Sequence, residues 1–169
     1  MTPCRTVGLE FFENPPHRFV AEEIVTATPA QIFEVFEDPE SWTVWAMPIQ
    51  KVEWTSPKPY GVGTTRTVSM IGGLAVAERF IAWERGKRMA FCVESSTSGT
   101  LESFAEDYHV TDLGDGRCRV RWIVGMAPKG AGKISLSLFG WALGFGLRMM
   151  FGRFRIYVEQ RYARTAAAA

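Results

Sequence analysis

Hydrophobic and polar positions change their period along the chain, and each change marks an element. "RFVAEEIVTA" (18 to 27) has the β-branched texture of a strand and ends at "TPAQ". There Thr28 is placed to cap a helix, Pro29 to be its first residue and Gln31 to complete a capping box. Ile32, Val35 and Phe36 follow at helical spacing until "EDPE" interrupts them. Asp38 and Pro39 then begin a second short helix, which carries Trp42 and Trp45.

From 51 to 126 the texture is β-rich, cut into six runs by "PKPYGVG", "IGG", "ERGK", "STSG" and "GDG". Runs so divided predict strands in hairpin succession, with "GDG" the clearest turn. Alternation puts Met89, Phe91 and Val93 on one face, as it does Val120, Trp122, Val124 and Met126, with Arg119 and Arg121 opposite. A long helix containing "LFGWALGFGLRMMFGRFRIYVEQRY" (138 to 162) closes the chain. One strand, two short helices, a six-strand meander and a final helix make an α+β fold: an antiparallel sheet of about seven strands with the helices gathered on one face.

The final helix is apolar on more than one side. Phe139, Leu143, Leu147, Met150, Phe154 and Tyr157/Val158 form a stripe expected to face the sheet. A second stripe, Leu138, Phe145, Met149 and Ile156, lies roughly opposite and needs a cover: the N-terminal "LEFF", another subunit or a membrane surface. The apolar run from Ile134 to Leu147 stops at Arg148, short of the ~20 residues a spanning helix needs, so a gripped helix is expected. Gly140, Gly144, Gly146 and Gly152 each cost about 1 kcal/mol relative to alanine inside a helix, which calls for a tertiary reason.

With 169 residues the chain fits one domain, divided as an N-terminal extension (1–17), a folded domain (18–162) and a disordered tail (163–169). Cys4, Cys92 and Cys118 are too few and too scattered for a disulfide framework or a metal site, and the N-terminus lacks a signal-peptide pattern. A cytoplasmic location is expected, with peripheral membrane contact as an alternative. The net charge of +1 conceals polarity: residues 1 to 116 hold 9 basic against 17 acidic residues, whereas residues 117 to 169 hold 10 basic and only Glu159. That basic end suits anionic lipid headgroups or an acidic partner. No nucleic-acid motif accompanies it, so nucleic acid is not an expected partner.

The ordered set "PESWTVW", "GVGTTR", "AERFIAWERGKRMAF" and "DGRCRVRW" resembles the polyketide cyclase/dehydrase-like proteins of the START/Bet v 1-like (SRPBCC) superfamily, over roughly residues 18 to 160. The resemblance implies a helix-grip fold, a curved sheet around a long C-terminal helix with an apolar cavity between them. It also implies binding of a lipid, sterol, polyketide or other hydrophobe, with catalysis in only some members. The N-terminal 17 residues and the unusually apolar last helix depart from a minimal member.

Candidate chemistry is sparse. His17 and His109 sit on separate elements; His109 shares a face with Asp107, as a solvated outer pair, and "GVGTTR" and "GAGK" are turns rather than phosphate loops. No metal or cofactor is expected. Strand parity instead aims Arg66 inward with Val68 and Met70, Glu78 with Val76 and Phe80, and Glu106 between Phe104 and Tyr108, unless a bulge near "WERG" reverses a strand. Glu78 and Glu106 are the candidate catalytic groups, since a buried acid of raised pKa can transfer protons. The candidate ligand-binding set is Trp42, Trp45, Arg66, Val68, Met70, Phe80, Phe91, Phe104, Tyr108, Trp122, Val124, Phe139, Leu143, Met150 and Phe154. The leading expectation is a non-catalytic protein that binds, transports or sequesters a hydrophobic small molecule. The alternatives are a cyclase/dehydratase-like enzyme and a module docking on membranes or partners, including a homodimer, through the last helix.

Overall fold

A computed structural model of the chain describes residues 1–166, with side chains through Ala163. Seven strands form one antiparallel sheet, a meander from β3 to β8 with β2 added beside β8: β2 (His17–Val25), β3 (Ile49–Trp54), β4 (Thr65–Met70), β5 (Ala75–Glu84), β6 (Arg88–Ser96), β7 (Leu101–Asp112) and β8 (Cys118–Pro128). Their order is β2-β8-β7-β6-β5-β4-β3, and a two-residue β1 (Thr2–Pro3) adds to β6. The helices are α1 (Pro29–Glu37), α2 (Pro39–Trp45) and α3 (Ala131–Ala166). Residues 167–169 of the expected tail lie outside the described residues.

Local chemistry fixes the connections. Thr28 Oγ1 accepts from the Gln31 amide at 3.3 Å while Gln31 Oε1 accepts from the Thr28 amide at 2.8 Å, the reciprocal capping box. Asp38 caps α2 through the Glu40 amide at 3.1 Å. Gly114, Asp115 and Gly116 all take positive φ between β7 and β8, a geometry that glycine adopts without strain and Asp tolerates.

The "LEFF" segment forms a 3₁₀ turn (Leu9–Phe12) on the outer face of the sheet, away from α3. Phe12 is buried there with Ala90, Cys92, Ala105 and Ile123, and Val7, Leu9 and Phe11 pack beside them. Gly125 gives Phe11 its space, because a Cβ there would stand 2.9 Å from the ring. This corrects one of the covers proposed for the second stripe of the final helix. Under this segment the outward residues of β6, β7 and β8 are small or apolar, namely Ala90, Cys92, Ala105, Ile123 and Gly125, and the N-terminus keeps them dry.

α3 divides into two halves. In the second, Phe151, Phe154 and Val158 are fully buried. Phe154 stacks on Phe151 (5.2 Å between centroids) and on Phe36 of α1 (5.5 Å), and meets Trp45 of α2 edge-on (5.2 Å). Polar contacts fasten the same half: Arg155 to Glu23 (3.1 Å), Arg161 to Asp38 (2.6 Å) and the Tyr162 hydroxyl to the Gln31 carbonyl (3.0 Å). Phe151 belongs to neither expected stripe, yet it completes the Leu147–Phe151–Phe154–Val158 spacing of the buried face.

The first half overhangs the sheet, with Leu138, Phe139, Trp141, Phe145 and Met149 all exposed. By length and composition α3 reaches the threshold for crossing a membrane, and almost none of its most apolar stretch is buried. Arg148 is the one charge between Ile134 and Gly152, so stopping the apolar run there undercounts it.

The glycines of α3 differ in kind. At Gly144 a Cβ would stand 3.1 Å from Phe19 of β2, so the helix crosses close to the strand there, whereas nothing lies within 4 Å of a Cβ at Gly146. Gly146→Ala is therefore expected to stabilise the fold by up to about 1 kcal/mol in urea denaturation. Gly144→Ala should gain less or lose stability, because Phe19 must move.

Candidate functional site

The first half of α3 roofs a cavity of about 680 Å³ whose floor is the concave sheet. Met70, Val76, Val93, Leu101, Phe104 and Met126 line it from the strands, and Leu136, Phe139, Leu143, Leu147 and Met150 from the helix. Ala46, Pro48 and Ile49 close one side, and Ser96, Ser98 and Thr100 lie toward the β6–β7 turn. Glu106 is the one ionisable side chain in the lining.

The expected ligand-binding residues separate into two groups. Met70, Phe104, Phe139, Leu143 and Met150 line the cavity. Trp42, Trp45, Arg66, Val68, Phe80, Phe91, Tyr108, Trp122, Val124 and Phe154 do not; they fill the closed end of the grip and are almost wholly buried. The reason is aromatic contact: Tyr108 stacks on Trp122 (5.7 Å), Trp42 lies 4.9 Å from Trp45, and Phe154 reaches Phe36, so these rings fill the space between them. Trp122 and Val124 also border a small cleft of about 90 Å³ under Gly144. The wall from Leu136 and the β6–β7 turn was missed, since strand parity carries no information about where a helix overhangs.

Arg66 and Glu78 point inward despite two register shifts in β5, at Ala77/Glu78 and Phe80/Ala82. Arg66 Nε donates to Glu78 Oε2 at 2.5 Å, with both residues almost fully buried. The guanidinium carbon lies 4.3 Å from the Trp42 ring centre and 4.8 Å from that of Phe91, so aromatic faces supply much of its solvation. Its Nη1 has no hydrogen-bond partner. Burial pushes the Glu78 carboxyl up, and the charge and hydrogen bond of Arg66 oppose that rise. Glu78 stands outside the cavity lining, which makes the pair a structural strut rather than a group a ligand can reach.

Glu106 differs. It is partly exposed, and that exposure is to the cavity. Tyr108 Oη (2.6 Å) and Trp122 Nε1 (3.0 Å) both donate to Oε2, while no described residue donates to Oε1. Burial pushes its pKa up to about 7; the two donors lower it, and Glu78 and Arg66 act in opposite senses. Burial also holds the Tyr108 hydroxyl well above the usual phenol range, so it remains a donor. Near neutrality Glu106 can thus donate a proton or accept one.

On the outer face His109 Nε2 lies 2.8 Å from Asp107 Oδ2. Asp107 is buried rather than solvated, and Arg88 grips it with two hydrogen bonds of 3.0 and 2.8 Å. Burial would raise this carboxyl, but His109 and Arg88 outweigh it and hold the pKa low. Among the described residues no cluster of three His, Cys, Asp or Glu side chains is arranged to hold a metal.

A sheet wrapped on a helix around a cavity of this kind is the helix-grip architecture of the START/Bet v 1-like superfamily. Residues 16–157 match the family described as polyketide cyclase/dehydrase and lipid transport, and the chain belongs to that family. An uncharacterized protein of Mycobacterium tuberculosis is 41% identical over 163 residues, covering 96% of this chain and 97% of its own. A START superfamily protein from Mycobacterium smegmatis superposes with a TM-score of 0.67 over 85% of this chain and 98% of its own, at 14% identity. The Zhui aromatase/cyclase from Streptomyces sp. R1128 gives a TM-score of 0.67 over 89% and 95%, at 13% identity. Those two likenesses establish fold alone. Family membership supports hydrophobic-ligand binding or a cyclase-like role.

Removing one member of the buried pair should be costly. Glu78→Ala is expected to lose about 3–5 kcal/mol in urea denaturation by stranding Arg66, and Arg66→Met with Glu78→Leu should recover most of it. Glu106 has the opposite signature. Its native pKa lies above the unfolded value near 4.5, so the folded state holds the extra proton between about pH 4.5 and 7. Stability should fall as pH rises through that window, by at most about 3 kcal/mol, and Glu106→Gln should flatten the fall.

Proposed function

We propose that this protein binds a hydrophobic small molecule, lipid-like or polyketide-like, beneath the first half of α3, for transport or sequestration. The observation that carries the reading is the combination of a large apolar cavity with a single carboxyl on its wall. Burial of apolar ligand surface supplies most of the affinity, at roughly 25 cal/mol per Å² before the costs of ordering. Glu106 Oε1 orients the ligand's one polar group, donating to a carbonyl below about pH 7 and accepting from a hydroxyl above it. A cytoplasmic location fits the three free thiols of Cys4, Cys92 and Cys118. The exposed face of α3 implies a further contact, with a membrane or a second subunit.

A cyclase-like reaction is the second reading, favoured by the same carboxyl. An acid of pKa near 7 can take a proton from a carbon acid and return it to the alkoxide formed in an aldol ring closure, then take a second carbon-bound proton and give it to the hydroxyl, which leaves as water in the dehydration.

Solvent extraction of the purified protein followed by mass spectrometry should release a hydrophobic compound. The protein should also enhance N-phenylnaphthylamine fluorescence, and Met70→Trp with Met126→Trp, which fill the cavity, should abolish both signals at an unchanged melting temperature. An empty extract with no probe enhancement by the native chain would sink the reading. Glu106→Gln separates the two readings: lost turnover of a bound polyketide-like substrate with binding intact favours the enzyme.

A further inference from the structure

We propose that the first half of α3 is a membrane-docking surface, which lies in the plane of an anionic bilayer and turns the cavity mouth toward it. Ile134, Leu138, Trp141, Phe145 and Met149 succeed one another at intervals of four, three, four and four residues. They therefore align on one helix face about 22 Å long. Each is between 60% and 77% exposed, with Trp141 the most exposed. An unbroken apolar face of that length is not left in water without a partner.

The charge around the stripe selects the partner. No Asp or Glu occurs between residues 116 and 158, while Lys129 and Lys133 stand at the start of the helix and Arg148 and Arg153 flank the stripe on either side. The nearby carboxylates serve Arg155 and Arg161 farther along, where Glu23 and Asp38 take them. An apolar face rimmed by bases, with a tryptophan at its crest, fits the boundary between acyl chains and anionic headgroups.

Other occupants fit less well. The N-terminal "LEFF" is already seated on the far side of the sheet. A second copy docking on this face by two-fold symmetry would add a second set of the same bases, with no acid between residues 116 and 158 to neutralise them. Crossing the bilayer would mean tearing the helix off the domain at both ends. Its start follows β8 directly, with Gly132 pressed so close to Thr100 that a Cβ would lie 2.9 Å from the carbonyl oxygen, and its second half is locked by Phe151 and Phe154.

The same turns that present the stripe also carry Leu136, Phe139 and Leu143 into the cavity wall. Phe139 is 61% exposed while lining the cavity, which places it at the mouth. A ligand passing Phe139 would move between cavity and acyl chains without entering bulk water. This exchange step rests on the cavity reading; the docking itself does not.

The full chain should co-sediment with vesicles of phosphatidylglycerol and phosphatidylcholine far more than with phosphatidylcholine alone, and less as salt rises. Trp141→Glu with Phe145→Glu should cut vesicle binding by about tenfold or more. Both side chains stand in water, so circular dichroism and probe enhancement should stay native. Trp141→Phe should keep sedimentation but remove most of the vesicle-induced blue shift in tryptophan emission. No sedimentation with anionic vesicles at low salt would overturn the proposal, as would equal binding by the double glutamate variant. A concentration-dependent dimer that the same variant dissolves, without vesicle binding, would assign the face to a second copy. Intact vesicle binding beside an empty extract would remove the ligand reading and leave the docking in place.

Discussion

The aromatic clamp around Phe151 and Phe154 is the contact on which the rest of the molecule depends. These two rings lie nearly parallel and engage Phe36 of α1, Trp45 of α2 and, through Tyr108 and Trp122, the centre of the sheet. Each such contact is worth about 1 kcal/mol beyond area burial, but the geometric consequence matters more. The clamp fixes only the second half of α3. The first half must then project over the sheet at the distance that the clamp and the β8 connection leave, and the space beneath it is the cavity.

The polar residues inside follow from the same division. At the closed end, where no water reaches, an ionised side chain has to be neutralised by its neighbours, and Arg66 meets that need with Glu78 and four aromatic rings. At the open end a carboxyl can remain on the wall because the cavity solvates it in part. Glu106 sits on the border, held on one oxygen by Tyr108 and Trp122 from the clamp and free on the other toward the cavity. Two acids of similar parity thus acquire different chemistry from their position along one axis, not from their strand.

How much of this was legible in the sequence follows from the range of each signal. Caps, turns and strand alternation act over a few residues. The inward parity of Arg66, Glu78 and Glu106 followed only on the condition that no bulge reversed a strand, and β5 does carry two register shifts, whereas Thr28, Asp38 and the "GDG" turn could be read directly. Which inward residues border empty space could not, because that is set by where α3 stands over the sheet. Trp42, Phe91 and Trp122 therefore looked as good as Met70 or Phe104, and Leu136 went unnoticed. The role of "LEFF" was readable in principle: Ala90, Cys92, Ala105, Ile123 and Gly125 occupy outward positions, where polar residues would stand on a solvated sheet.

The composition of α3 makes sense as that of one helix in two surroundings. Its second half packs aromatics and pins itself with Arg155, Arg161 and Tyr162, as a core helix does. Its first half combines the exposed Trp141 and Phe145 with Gly140, Gly144 and Gly146, of which only Gly144 meets a neighbouring element closely. Low helix propensity with few tertiary contacts places this stretch at the weak end of the domain's local stability. A roof that opens more easily than the walls can admit a ligand without disturbing the clamp, and a surface that becomes buried on contact with lipid can shift how often it opens.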